Sequence, residues 1–175
     1  MKRFISTVAI FLAVPSFVFA QEHHEPQVLT GSTQARSLTE SEVQGYLHGR
    51  GMGMAKPAEL NSYPGPMHVL ELADKLSLTD TQRRDAQRTF EAMRAEAIRI
   101  GKLIVEKEGD LNRLFAGGKA ERGAVEHIVR EIAELQAKLR AVHLNAHLEM
   151  KRMLSVEQIK TYDELRGHRA AGADR

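Results

Sequence analysis

Cysteine and tryptophan are both absent from this chain of 175 residues, and aromatic residues make up only 5% of it. Without cysteine the chain can form neither a disulfide nor a thiolate metal site, so metal ligands could come only from His, Met, Asp or Glu. The shortage of aromatic side chains indicates an aliphatic core of modest size. Such a core suits a helical hairpin better than a thick globular domain.

A surplus of basic charge is also lacking once the N-terminus is set aside. The full chain holds 25 Lys and Arg against 23 Asp and Glu. Two of the basic residues, Lys2 and Arg3, precede an apolar run at residues 4–19 that ends in Ala20. The remaining chain therefore holds 23 residues of each sign. We expect no nucleic-acid partner, because such a partner requires a basic field to neutralise its phosphates.

The same N-terminal segment has the pattern of a secretory signal peptide. We expect residues 1–20 to be cleaved after Ala20 and the protein to be exported to the bacterial periplasm. The alternative is an uncleaved membrane anchor. The apolar run is short for a bilayer span of about 20 residues, however, and Pro15 interrupts it.

The exported part divides by composition into a polar arm that we expect to be disordered (21–37), a helical domain (38–167) and a frayed tail (168–175). The helical domain begins with a possible short helix at 38–47. A loop at 49–66 follows, because glycine and proline recur along it.

Two copies of one helix-start signal lie 76 residues apart in the helical domain. They are Leu78-Thr79-Asp80-Thr81-Gln82 and Leu154-Ser155-Val156-Glu157-Gln158. In each copy the Thr or Ser is expected to cap a helix, and the Gln is expected to bond back to the N–H of the capping residue. The second copy also has Ile159 in position to pack against Leu154 as a hydrophobic staple.

Heptad patterns connect these starts. The apolar positions are Ala86, Phe90, Met93, Ala97, Ile100, Ile104, Leu111 and Leu114 in one stretch, and Val125, Ile128, Ile132, Leu135, Leu139, Val142, Ala146 and Met153 in the next. The short loop around Gly117 and Gly118 requires the two long helices to be antiparallel. Short helices at 66–77 and 155–167 are expected to pack at the open end. The predicted fold is all-α, a long antiparallel hairpin with short flanking helices.

No motif for catalysis is present: the chain has no Gly-rich phosphate loop, Gly-x-Ser-x-Gly or His-Glu-x-x-His. The histidines are more informative. His143 and His147 are four residues apart, which places both imidazoles on one helix face at a separation that a metal can bridge. The alternative is a solvated polar flank. His48, with Met52 and Met54 after it, could chelate a soft ion, but the favoured interpretation is a loop whose flexible methionines fill gaps.

Residue counts along the helices predict that one more histidine and two glutamates lie at about the same height in the hairpin as His143 and His147. At a rise of about 1.5 Å per residue, His68, Glu91 and His143 lie roughly 15–20 Å from the open end, and Glu71 and His147 lie at about 10 Å. The predicted metal ligands are therefore His68, Glu71, Glu91, His143 and His147. Such ligands suit Zn²⁺, Ni²⁺, Co²⁺ or Cu²⁺. Rotation of each helix about its axis is left open.

The doubled Leu-(Thr/Ser)-x-x-Gln signal on an exported, cysteine-free helical chain resembles the Spy/CpxP family. Residues 51–56, 58–66, 68–73 and 143–158 are most similar to its periplasmic heavy-metal-sensor branch, which includes ZraP-like and CnrX-like proteins. The resemblance implies a hooked, usually dimeric α-hairpin without enzymatic activity. It also implies that His68, Glu91 and Met150 correspond to ligand positions. The His pair departs from the family pattern, which has a single His at the position of Ala146.

We thus expect a non-enzymatic periplasmic protein that binds a divalent transition metal as a sensor or stress-response protein. The alternative that the resemblance leaves open is an ATP-independent chaperone for unfolded envelope proteins. The expected partners are a second copy of the chain and either a membrane signalling protein or unfolded envelope proteins. The sequence does not identify the metal.

Overall fold

A computed structural model describes residues 35–167 of the chain. The predicted signal peptide, most of the predicted arm and the predicted tail at 168–175 lie outside them. The described chain forms six helices and no β-strand: α1 (Glu40–Leu47), α2 (Lys56–Glu59), α3 (Pro66–Glu71), α4 (Asp80–Ala116), α5 (Arg122–Met153) and α6 (Val156–Arg166). None of these six helices is both long and apolar enough to cross a bilayer.

The hairpin of α4 and α5 dominates the fold and confirms the predicted all-α class. The two helices, 37 and 32 residues long, pack along each other and are joined by a short connection. Gly118 in this connection has φ +64°, a left-handed conformation that glycine adopts without steric cost. The glycine pair therefore ends α4 and lets the chain reverse.

Both predicted helix starts form complete capping boxes. The hydroxyl of Thr79 accepts from the backbone N–H of Gln82, and the side chain of Gln82 accepts from the N–H of Thr79. Ser155 and Gln158 repeat this arrangement at the start of α6. Thr79 and Ser155 are therefore N-caps, as the sequence predicts.

Two details of the flanking segments differ from the prediction. The predicted loop at 49–66 contains the short helix α2, which has Pro57 in its first turn, where the missing N–H costs no hydrogen bond. The helix predicted to reach Ser77 ends at Glu71 instead. Residues 72–77 form turns that reverse the chain into α4, and Ser77 takes a φ of +50° at the end of them.

Two apolar clusters hold the flanking helices against the hairpin. At the open end, α3, the turns after it and α6 contribute Val69, Ala73, Leu76, Leu78, Ile159 and Tyr162, which pack with Ala86, Met150 and Leu154. Further along, Tyr46 of α1 packs with Ala97, Ile100, Ile104 and Leu139. Between these two clusters the flanking segments and the hairpin enclose a cavity.

Candidate metal centre

The cavity has a volume of about 570 Å³, and five segments of the chain form its walls. Its lining residues are His48, Gly49, Arg50, Gly51, Glu59, Pro66, Met67, His68, Phe90, Met93, Arg94, His143 and His147. Four of the eight histidines of the chain are among them. The cavity therefore gathers most of the nitrogen ligands that the described residues contain.

His143 is buried in α5, with 3% of its surface exposed. Its Nε2 is fully buried and has no hydrogen-bond partner among the described residues. Burial, with a smaller contribution from the charge of His147, lowers the pKa of His143 below its usual 6.5. The imidazole is therefore neutral at physiological pH, which is the protonation state that binds metals.

His147 lies one helical turn further along α5 and is 4% exposed. Its Nδ1 is 2.8 Å from the carbonyl oxygen of Tyr63. Because a carbonyl only accepts, Nδ1 carries the proton, and the lone pair of the neutral ring is on Nε2. Protein metal sites commonly orient a histidine ligand in this way, through a hydrogen bond from its other ring nitrogen.

Gly65 gives the His147 ring its space. This residue is buried and has an ordinary extended backbone, with φ −85° and ψ 141°, so its conformation does not require glycine. A β-carbon there would lie 3.0 Å from Cε1 and 3.3 Å from Nε2 of His147. The missing side chain therefore leaves the Nε2 side of the imidazole uncovered by the chain at this point.

His68 reaches the same cavity from α3, but both of its ring nitrogens are engaged. Nδ1 is 2.8 Å from Oε2 of Glu71, and Nε2 is 3.1 Å from a guanidinium nitrogen of Arg166. A guanidinium only donates, so Nε2 accepts from Arg166 and the Nδ1–H donates to Glu71. A metal could bind Nε2 only after Arg166 had moved away.

The five sequence-predicted ligands are thus partly assembled. His68, His143 and His147 line one cavity, and Glu71 contacts His68 without lining it. Glu91 is exposed, accepts a hydrogen bond from Gln87 and lies outside the lining. Consecutive helical residues are rotated by about 100°, so the neighbours Phe90, Met93 and Arg94 face the cavity in its place.

The predicted ligand set lacks four residues that could contribute ligand atoms to this cavity: His48, Glu59, Met67 and Met93. Of these, the sequence indicates only His48 as a possible ligand, for a soft ion. His48 and Glu59 precede α3, in segments that show no helical or strand periodicity, so no spacing rule could place them. Met93 was assigned only to the heptad seam. For Glu59, the available sequence signal is its position in the block 58–66, which resembles the heavy-metal-sensor branch.

The chemistry of the donor set fits a transition metal. Across residues 35–167, no three His, Asp or Glu side chains stand close enough together to hold a metal ion without moving. His143 nevertheless has a buried nitrogen without a partner, and the Nε2 of His147 has a lone pair beside the space at Gly65. The i, i+4 spacing places these two nitrogens on one face of α5, at a separation that an ion can bridge once the side chains adjust.

Comparison with known families agrees with this chemistry. The sequence model for heavy-metal resistance matches residues 43–160, more than half of the chain. The chain belongs to the heavy-metal resistance family. This membership confirms the resemblance inferred from the doubled motif and its neighbouring blocks. No curated protein and no solved structure matches the chain. Every residue named here as a possible ligand lies inside the matched range, whereas Arg166 lies outside it.

Proposed function

We propose that this member of the heavy-metal resistance family binds a divalent transition metal at His143 and His147 and acts as a metal sensor or stress-response protein, without enzymatic activity. One observation carries the proposal: two buried imidazoles on one face of α5 line a single cavity, and neither Nε2 has a hydrogen bond within the described residues. Buried nitrogen acceptors are normally satisfied, so a pair of open ones favours a ligand.

His68 is the third nitrogen ligand in this proposal. Its side chain already lines the cavity, and Glu71 holds its ring through Nδ1. A carboxylate on the distal nitrogen makes the imidazole a better ligand. Glu71 therefore acts through His68, and Glu91 has no part in the site as described. Imidazole-rich sites suit Zn²⁺, Ni²⁺, Co²⁺ and Cu²⁺, so the proposal covers these four ions.

Calorimetric titration of the chain from Gln21 onward with each of the four ions tests the proposal. We expect at least one ion to bind. At a concentration of 100 times Kd it should stabilise the fold by about 2.7 kcal/mol, since only the folded chain brings the ligands together. The variant H143Q/H147Q should lose both the binding heat and the stabilisation while keeping its helical circular dichroism.

His127→Gln is the matched control, because this histidine lies on the same helix with its side chain 71% exposed and far from the cavity lining. It should bind like the unchanged protein. Unaltered affinity in H143Q/H147Q would contradict the proposal. So would the absence of a thermal shift with all four ions.

A second candidate function is that of a chaperone for unfolded envelope proteins. The observation that favours it is the apolar part of the same cavity, where Met67, Phe90 and Met93 line the wall and Met67 is 45% exposed. Flexible methionines suit the recognition of varied apolar segments. Suppression of the aggregation of an unfolded client, unchanged in H143Q/H147Q and independent of metal, would support this function over the first.

We further propose that the protein works in the periplasm, where it would report to a membrane signalling protein or protect envelope proteins. The support is the signal-peptide pattern of residues 1–20. Mass spectrometry of the protein from a periplasmic extract should give an N-terminus at Gln21. An intact N-terminus at Met1 in the membrane fraction would instead indicate an anchor.

A further inference from the structure

We infer that Glu59, at the end of α2, is a metal ligand of this site together with His143 and His147. The inference rests on the proposed function and adds to it a carboxylate from the segment 49–66, which the sequence predicts to be a loop. Its support is the lack of a partner for the carboxylate and its position relative to His147, together with its effect on Tyr162.

The carboxylate of Glu59 forms no ion pair within the described residues. Glu59 is half-buried and lines the cavity, yet it forms neither a hydrogen bond nor an ion pair there. Arg50 and Arg94 line the same cavity, and neither pairs with it. A partly desolvated carboxylate without a partner is costly. A cation in the cavity would remove that cost.

Glu59 and His147 meet around the missing side chain of Gly65. A β-carbon on Gly65 would lie 3.8 Å from Oε1 of Glu59 and 3.3 Å from Nε2 of His147. The two ligand atoms therefore border the same small volume. His143, one helical turn before His147, lines the cavity that contains this volume.

The charge of Glu59 is also felt by Tyr162. The phenol of Tyr162 accepts a hydrogen bond from the N–H of Gly65 at 3.3 Å. Burial is the main cause that raises the pKa of Tyr162; the N–H of Gly65 and the charge of Arg166 lower it, and the negative charges of Glu59 and Asp163 raise it. This agrees with the position of the carboxylate near Gly65, where side-chain adjustment would bring it and His147 to one ion.

Two imidazoles and one carboxylate form a ligand set that proteins use for Zn²⁺ and similar borderline ions. The carboxylate brings a formal negative charge to a site whose other ligands are imidazoles, which bind a metal in their neutral form. The set thus favours a divalent ion over a soft monovalent one, for which thioether and thiolate ligands are better suited. The occupant that we infer is a borderline divalent cation such as Zn²⁺ or Co²⁺.

The test compares Glu59→Gln with Glu91→Gln in Zn²⁺ and Co²⁺ titrations of the chain from Gln21 onward. Glutamine keeps the size of the side chain and removes its charge. We expect Glu59→Gln to weaken Zn²⁺ binding at least 10-fold and to change the visible absorption spectrum of the bound Co²⁺, which reports the ligand set. Glu91→Gln, whose carboxylate is exposed and outside the cavity lining, should alter neither.

Gly65→Ala provides a second test that changes none of the ligand residues. Its methyl group would occupy the volume between Glu59 and His147, so Zn²⁺ affinity should fall while helical content stays the same. Equal affinity and an unchanged Co²⁺ spectrum in Glu59→Gln would overturn the inference, whatever Gly65→Ala does. Because H143Q/H147Q tests the histidines separately, loss of binding there with no effect of Glu59→Gln would reject the role of Glu59 and leave the proposed function intact.

Discussion

Gln82 and Gln158, the last residues of the two repeated motifs, exchange hydrogen bonds through their side-chain amides. Nε2 of Gln82 donates to Oε1 of Gln158 at 2.9 Å, and Nε2 of Gln158 donates to Oε1 of Gln82 at 3.1 Å. The second N–H of each amide donates to a backbone carbonyl, that of Met153 or of Leu76. Each oxygen also accepts from the N–H of its own capping residue. Both amides are therefore fully satisfied.

This pairing joins the start of α4 to the start of α6 and predicts energetic coupling between the two motifs. Gln82→Ala and Gln158→Ala should each lower the free energy of unfolding by about 1–3 kcal/mol, because each leaves part-buried polar groups without partners. In the double variant, the loss of unfolding free energy should be smaller than the sum of the two single losses by at least ~0.5 kcal/mol, because either single change already removes the shared hydrogen bonds. Urea unfolding of the four proteins measures this coupling.

Gln87→Ala is the control for these variants, because its exposed amide donates only to Glu91 on the same helix. It should change the free energy of unfolding by less than ~0.5 kcal/mol. Strict additivity of Gln82→Ala and Gln158→Ala would show that the two motifs act as independent helix caps.

Gly101 permits the close packing of α1 on α4. A β-carbon at this position would collide with the backbone carbonyl of Tyr46. Gly101→Ala should therefore destabilise the fold by about 1–3 kcal/mol, as overpacking does.

Gly123→Ala in α5 is the matched comparison, because nothing lies within 4 Å of its added methyl group. It should stabilise by up to about 1 kcal/mol through helix propensity. Equal melting temperatures for the two variants would contradict the close contact.

The buried His143 should make the metal-free protein less stable in mild acid. Its pKa is lowered in the folded state, so below about pH 6.5 the unfolded chain binds a proton that the folded chain does not. Stability is therefore retained above this pH and lost as the pH falls through it. Between pH 7.5 and 5.5 this one group can contribute a loss of at most about 1.4 kcal/mol.

His143→Gln removes the titrating group, so its free energy of unfolding should fall less over the same interval than that of the unchanged protein. Urea unfolding at the two pH values, with a chelator present, gives both differences. His127→Gln should retain the full loss, because it leaves His143 unchanged and replaces an exposed side chain. An equal loss in all three proteins would mean that His143 carries no such penalty.

Arg166 should compete with metal for His68. Its guanidinium occupies Nε2 of His68 at 3.1 Å, so a metal ligand role for His68 requires this hydrogen bond to break. Arg166→Ala should tighten Zn²⁺ binding by roughly 2- to 10-fold, in line with the net contribution of one hydrogen bond. Arg152→Ala, which removes an exposed arginine paired with Glu149, should have no effect. Unchanged affinity in Arg166→Ala would remove His68 from the ligand set.

A dimer is expected because a single long hairpin buries little apolar surface for its length. Leu148 on α5 and Leu165 on α6 are more than 40% exposed in the isolated chain, and Val156 is 78% exposed. Sedimentation equilibrium of the chain from Gln21 onward should give twice the monomer mass at micromolar concentration. A single monomeric species under these conditions would contradict the prediction.

The local sequence largely determines where the helices of this protein begin and end. Thr79 and Ser155 cap helices because hydroxyl groups satisfy N–H donors a few residues away, and the glycines at 117 and 118 end α4. The short loop at these glycines then requires the two heptad-patterned helices to be antiparallel. These are short-range effects with a fixed period, so the sequence determines them without knowledge of the remaining contacts.

The pairing of the helix ends depended on the tertiary structure. The sequence assigned Gln82 and Gln158 to separate capping boxes, and their mutual hydrogen bonds appear only when α6 folds back beside the start of α4. In the same way, Arg166 reaches His68 across 98 positions of the chain. No spacing rule predicts contacts of this kind, because they depend on the direction in which turns such as 72–77 send the chain.

For the candidate metal site too, the sequence determined the position of some residues and the tertiary structure that of the others. Counting residues from the open end placed His68 and His143 at a common level, and both line the cavity, because the rise per residue of a helix is constant. The count could not supply the rotation of α4, which turns Glu91 outward and Phe90 inward. The residue count also could not place Glu59, because the apolar residues of its segment show no helical or strand periodicity. Only the packing of α2 and α3 against α5 brings that carboxylate beside His147, at the space that Gly65 leaves open.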